Sequence, residues 1–170
     1  MKDHADHPVR HLEPANLWNR FADLNAIPRP SKHEERVVEW LHQWAAEKGL
    51  SSLQDEVGNV LIKKDSTSGM ENRKTVVLQS HVDMVCQKNE ATDFDFMTEG
   101  IRMVVDGDWV RADGTTLGAD NGIGVASILA VLESSDIPHP ALEALFTIDE
   151  ETGMTGALGL QGGFLSGDIL

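Results

Sequence analysis

Three clusters hold the residues best equipped for chemistry: His81-Val82-Asp83, Asp120-Asn121-Gly122 and Glu150-Glu151-Thr152-Gly153. Imidazole and carboxylate are ligands for zinc and comparable divalent metals. His81 and Asp83 follow the run TVVLQ, and residues two apart on a strand point to one face. His81 could therefore hold a metal through one ring nitrogen while Asp83 orders the ring through the other. Asp120 stands before a helix, and its two oxygens could bridge two cations of the kind that sit about 3.5–4 Å apart in two-metal hydrolytic sites. Glu150 and Glu151 would repel each other unless cations separate them or one is protonated. One could ligate a metal while the other accepts a proton from a water whose pKa the metal lowers to about 7. Each cluster also has an ordinary structural reading: a surface His and Asp, a helix N-cap aspartate, a solvated acidic turn. Their conjunction favours chemistry, because each falls where a strand ends or a helix begins. Ligands of open α/β sheets bind outside the carboxyl ends of the strands.

The elements that must position these residues follow from periodicity. Leu17, Phe21 and Leu24 predict a helix over 14–26, stopped by Pro28 and Pro30. Ser31, three residues before Glu34, predicts a capping box. The helix it opens carries Val37, Val38, Leu41, Trp44 and Ala45 on one face and closes at Gly49. His33-Glu34 does not begin an H-E-x-x-H motif, since position 37 is Val37. Val57 to Ile62 reads as a strand interrupted by Gly58-Asn59, 65–74 as a polar loop, and Thr75 to Gln79 as a buried strand. Residues 86–100 read as an exposed acidic excursion. A turn at Asp106-Gly107 leads to a short strand around Trp109-Val110. Residues 122–134 read as a buried helix, 141–148 as a strand, 154–160 as a helical turn or two, and Asp168 as the start of another strand. The glycines at 118, 122 and 124 form no nucleotide-binding loop. Alternating strands and helices predict an α/β fold, with a mixed central sheet flanked by helices.

Composition narrows the partners. The chain has 170 residues, 41% hydrophobic, enough for a core and for one domain or part of one. Its net charge of −14 includes no basic stripe, which argues against nucleic acid or an anionic membrane. Cys86 is the single cysteine, and no signal peptide or membrane-spanning run is evident, so a soluble cytoplasmic protein is expected. Residues 1–13, with His4, His7 and His11, are expected to be a flexible tail, with a weak surface metal site as the alternative.

The stretches LQSHVDMV (78–85), GTTLGADNGIG (114–124) and IDEETGMTGALGLQG (148–162) resemble the aminoacyl-histidine dipeptidase family of co-catalytic zinc metallopeptidases. IPRPSKHEE (27–35) and ENRKTVVLQ (71–79) are similar too, and the resemblance covers about 14–170. It implies two zinc ions, with cobalt or manganese as substitutes. His81 would bind one, Glu151 the other, and Asp120 both. It further implies Glu150 as general base, Asp83 as the carboxylate supporting His81, and a cis peptide at Asp120-Asn121. The substrate implied is a dipeptide, often with C-terminal histidine, and a homodimer of the complete protein is a further expectation. Such enzymes are longer, with a second domain inserted and one more ligand for each zinc. Residues 14–170 are therefore expected to be the N-terminal part of a catalytic domain, truncated and inactive alone. An N-acyl amino acid deacylase of the same superfamily and a non-catalytic remnant are the competing readings.

Overall fold

A computed structural model describes residues 7–170. Helices α1 (Ala15–Asn25) and α2 (Glu35–Glu47) precede strands β1 (Ser51–Gln54), β2 (Val60–Lys64) and β3 (Val76–His81). A hairpin of β4 (Met103–Asp106) and β5 (Trp109–Ala112) leads to α3 (Ala119–Glu133), β6 (Leu142–Thr147) and the short α4 (Thr155–Gly159). The main sheet runs β1-β2-β6-β3. β3 and β6 are parallel, while β1 and β2 are antiparallel to their neighbours. The fold is the mixed α/β arrangement that the sequence predicts.

β6 reads as an unbroken apolar run because it lies inside the sheet, with every residue buried. Val60, Ile62, Leu142, Ala144 and Phe146 share a core with Val37, Leu41 and Trp44 of α2 and with Val125, Leu129 and Leu132 of α3. Burying side chains of this size stabilises by about 1.5–3 kcal/mol each before entropy is counted. α2 ends as expected: Gly49 takes φ +69°, Leu50 N donates to Ala45 O and Gly49 N to Ala46 O.

Its start differs. Glu34 is the N-cap and makes no side-chain cap bond there. Ser31 Oγ instead donates to Asp83 Oδ2 at 2.7 Å, so the apparent capping box serves the β3 loop. The strand expected over 57–62 is also redistributed. Asp55 Oδ1 accepts from the amides of Val57, Gly58 and Asn59, which forces a turn there. β1 precedes that turn and was hidden by its polar, exposed pattern.

A second core joins Val9, Phe21, Met84, Phe94, Ile101, Met103 and Ala126. It qualifies two expectations. The 86–100 excursion is anchored by Phe94, although most of its charged residues face solvent. Within the flexible tail expected over 1–13, the described residues hold a packed 3-10 turn at Pro8–His11, with Val9 fully buried and His7 Nε2 3.0 Å from Met103 O, while residues 1–6 lie outside the described residues. His4 lies outside the described residues. At the other end, Ile169 bridges in parallel to Val76, as a strand beginning there requires. Among the described residues no helix is long and apolar enough to cross a membrane.

Candidate metal centre

Parallel pairing of β3 and β6 sets His81 against Thr147, so both strands end at one edge of the sheet. The chain leaving β3 supplies Asp83, and the chain leaving β6 supplies Asp149, Glu150 and Glu151. α3 brings Asp120 to the same edge from a start that is not regular helix: Asp120 (φ −90°, ψ 109°) and Asn121 (φ −106°, ψ 34°) depart from helical geometry. The Asp120-Asn121 peptide is cis, as the resemblance implied. Ser80 Oγ donates to Asn121 O at 3.1 Å and ties this start to β3.

His81, 6% exposed, stands between two carboxylates. Its Nδ1 lies 3.2 Å from Asp83 Oδ1 and its Nε2 3.2 Å from Asp120 Oδ1, with Glu150 Oε2 3.8 Å from Nε2. Burial would lower the imidazole pKa, but bonds and charge from Asp83, then Asp120 and Glu150, outweigh it and raise it. Asp83 is fully buried. It accepts from Glu150 N (3.1 Å, Oδ1), Glu151 N (3.1 Å, Oδ2) and Ser31 Oγ. Burial raises an acid, yet these donors and His81 hold Asp83 well below the usual carboxylate range. Asp83 is thus an ionised acceptor that orients His81 and pins the backbone of the two glutamates. Glu151 is pushed up by burial and by the charges of Asp120, Glu150 and Asp83, with His81 opposing.

Ligand atoms of His81, Asp120 and Glu151 all lie within 4.8 Å of one another. One imidazole nitrogen and two carboxylates, with more acids behind them, fit a divalent cation, which would relieve the repulsion that adds to burial in raising Glu151. The structure therefore brings together all three residues expected as ligands, with Asp83 and Glu150 beside them. The side chain of Asp120 is 87% exposed and that of Glu150 38%, so the group opens to solvent.

Of the residues behind this group, Asp149 and Arg29 were not singled out from sequence. Glu34, Asp83 and Asp149 form a second, fully packed acidic group within 4.8 Å. Glu34 Oε1 accepts from Lys32 N and Asp149 N, each at 2.9 Å. The Asp149 carboxylate takes short bonds from the hydroxyls of Thr152 and Thr155. This group already satisfies chain donors and fixes the loop that presents Glu150 and Glu151. Arg29, 1% exposed, donates to the carbonyls of Val82, Asp83 and Gly118. A Pro-rich segment gave no sign that its arginine would be buried.

No family model matches the chain. It is 56% identical over 159 residues to the cytosol non-specific dipeptidase of Escherichia coli (strain K12), a match that covers 94% of this chain and 33% of that protein. It superposes on the crystal structure of aminoacylhistidine dipeptidase from Vibrio alginolyticus with a TM-score of 0.94 and 56% identity, covering 96% of this chain and 34% of that one. A tripeptidase from Staphylococcus aureus subsp. aureus Mu50 gives a TM-score of 0.74 at 26% identity, over 90% of this chain and 41% of that one. The chain spans about a third of the length of the two dipeptidases it matches. In sequence and in fold alike, over nearly all its length, the chain is similar to the aminoacyl-histidine dipeptidases.

Proposed function

We propose that this chain is part of a metal-dependent dipeptidase acting in the cytosol, with dipeptides carrying C-terminal histidine among its substrates. The observation that carries the reading is the convergence of His81, Asp120 and Glu151 within 4.8 Å, at the carboxyl edge of two parallel strands. The similarity to the two dipeptidases, at 56% identity, supports the same reaction class.

Two zinc ions bound here would polarise the scissile carbonyl and make water a better nucleophile near neutral pH. His81 and Glu151 would each hold one ion and Asp120 both. Asp83 would keep His81 in one orientation and, with metal bound, in one tautomer, with Nδ1–H toward Asp83 and Nε2, on the Asp120 side, as the ligating nitrogen. Glu150 accepts the proton of the attacking water and delivers it to the leaving amine. Its carboxylate is 38% exposed, and its amide, like that of Glu151, is fixed by Asp83. Solvent access and a fixed backbone suit a group that must shuttle a proton without following the ion.

Glu150→Gln keeps the size of the side chain and removes its capacity to accept a proton. In the intact protein kcat for dipeptide hydrolysis should fall by at least about 10²-fold while metal content is unchanged. Near-normal turnover in that variant would refute Glu150 as the base.

A further inference from the structure

Arg29 connects two of the three segments that build the metal centre, without touching any of the three ligand side chains. Nη1 donates to Val82 O at 3.0 Å and to Asp83 O at 3.3 Å, on the loop that follows His81. Nη2 donates to Gly118 O at 2.7 Å, two residues before Asp120, and to Asn25 Oδ1 at 2.9 Å. Asn25, itself fully buried, donates through Nδ2 to Leu117 O at 3.2 Å. The backbone of Arg29 takes part as well, since Met84 N donates to its carbonyl at 3.2 Å.

The surroundings are shaped to the guanidinium. A Cβ at Gly118, where φ is +69°, would fall 2.5 Å from Nη2, and a Cβ at Gly122 would fall 2.9 Å from it. Glycine at both positions lets the start of α3 close on the fork. Burying an arginine is costly, and an apolar side chain would fill the same space at less cost. The arginine fork, by contrast, can meet carbonyls on two sides at once, which a lysine ammonium on a single stem does poorly. Asp83 lies close enough to offset part of the buried charge, and the group stays cationic at neutral pH, lowered by burial only to about 10.

We propose that Arg29, braced by Asn25, is a positioning residue that sets the separation between His81 and Asp120 and so the metal affinity of the centre. The proposal rests on the metal-centre reading given above.

Titration calorimetry with zinc or manganese ions on the intact protein tests it. Arg29→Lys retains charge but cannot bridge both loops, and Asn25→Ala removes the brace while leaving Arg29 in place. Each should weaken metal binding by about 10–100-fold, the usual size of an effect exerted from behind the ligands. An arginine that serves packing alone would lower the melting temperature of these variants yet leave the Kd of the folded protein at its wild-type value. That result in folded variants would overturn the proposal. If Arg29→Lys does not fold, Asn25→Ala decides by itself. Failure of the wild-type protein to take up either ion would sink the metal-centre reading and this inference together. Binding by wild type with unchanged affinity in the variants would sink the inference alone.

Discussion

Asp83 carries more of the centre than its lack of proposed metal contact suggests. Its two oxygens accept from His81, from Ser31 and from the amides of both glutamates, so one buried carboxylate orders groups from three segments. Asp83→Asn would replace an acceptor oxygen with an NH₂ facing donors, which leaves unsatisfied N–H groups in a buried place. Metal affinity and activity should each fall about 10–100-fold. Asp120→Ala should do worse, because Asp120 is the proposed shared ligand, and purified protein should hold almost no zinc by elemental analysis. Full zinc occupancy in Asp120→Ala would remove Asp120 from the ligand set.

At the scale of elements, the sheet is held at both ends of β6 by different chemistry. Its carboxyl end delivers Glu150 and Glu151, and its amino end buries an acid. Glu143, 2% exposed, accepts from Lys63 Nζ of neighbouring β2 at 2.8 Å and from the amides of Ser166 and Gly167 at 2.9 and 3.0 Å, with a short bond from the Ser166 hydroxyl. Burial pushes this carboxyl up, but Lys63 and the Ser166–Gly167 donors prevail and bring it down to about 2. A folded-state pKa below the unfolded one contributes stability that is complete above the ordinary glutamate range and is lost as pH falls toward the folded value. Glu143→Gln should therefore cost about 1–3 kcal/mol at pH 7. The gap from wild type should shrink as pH drops from about 5 toward 2. Denaturant unfolding at several pH values checks this, and a gap that held constant down to the acid limit would show that the carboxylate charge is not what anchors the 166–167 segment.

For the whole molecule, the consequence lies in what the centre ties together. Segments near residues 81, 120 and 151 meet at one point of the sheet, and the protein's net charge is −14. An ion held there would join distant parts of the chain and offset some of that charge. Binding to the folded state alone stabilises by RT ln(1 + [L]/Kd), about 2.7 kcal/mol at a hundredfold excess over Kd. Zinc or manganese should thus raise the Tm of the intact protein, EDTA should reverse the rise, and Asp120→Ala should abolish it. Equal melting with and without metal would count against a centre formed in the folded state.

By itself the sequence determined the element types and the chemistry. Helical periodicity in Val37–Trp44, and continuous apolar runs at Val125–Leu132, Val76 and Leu142, mark the segments that are buried. His81, Asp83, Asp120, Glu150 and Glu151 were legible because their types and their places at element ends are local facts, and because the motifs around them resemble a known family. Only the tertiary structure decided that these ends coincide, since that depends on the parallel β3–β6 register, which no local pattern encodes. It also decided the uses of Ser31, Arg29 and Asn25. Ser31 has the spacing of a helix cap, yet its hydroxyl bonds Asp83, and Arg29 in a proline-rich segment is drawn inside by carbonyls far away in the chain. The packed 3-10 turn around Val9 and the anchoring of Phe94 arise in the same way. Burial is a property of what surrounds a residue, and for these residues the surroundings come from distant parts of the chain.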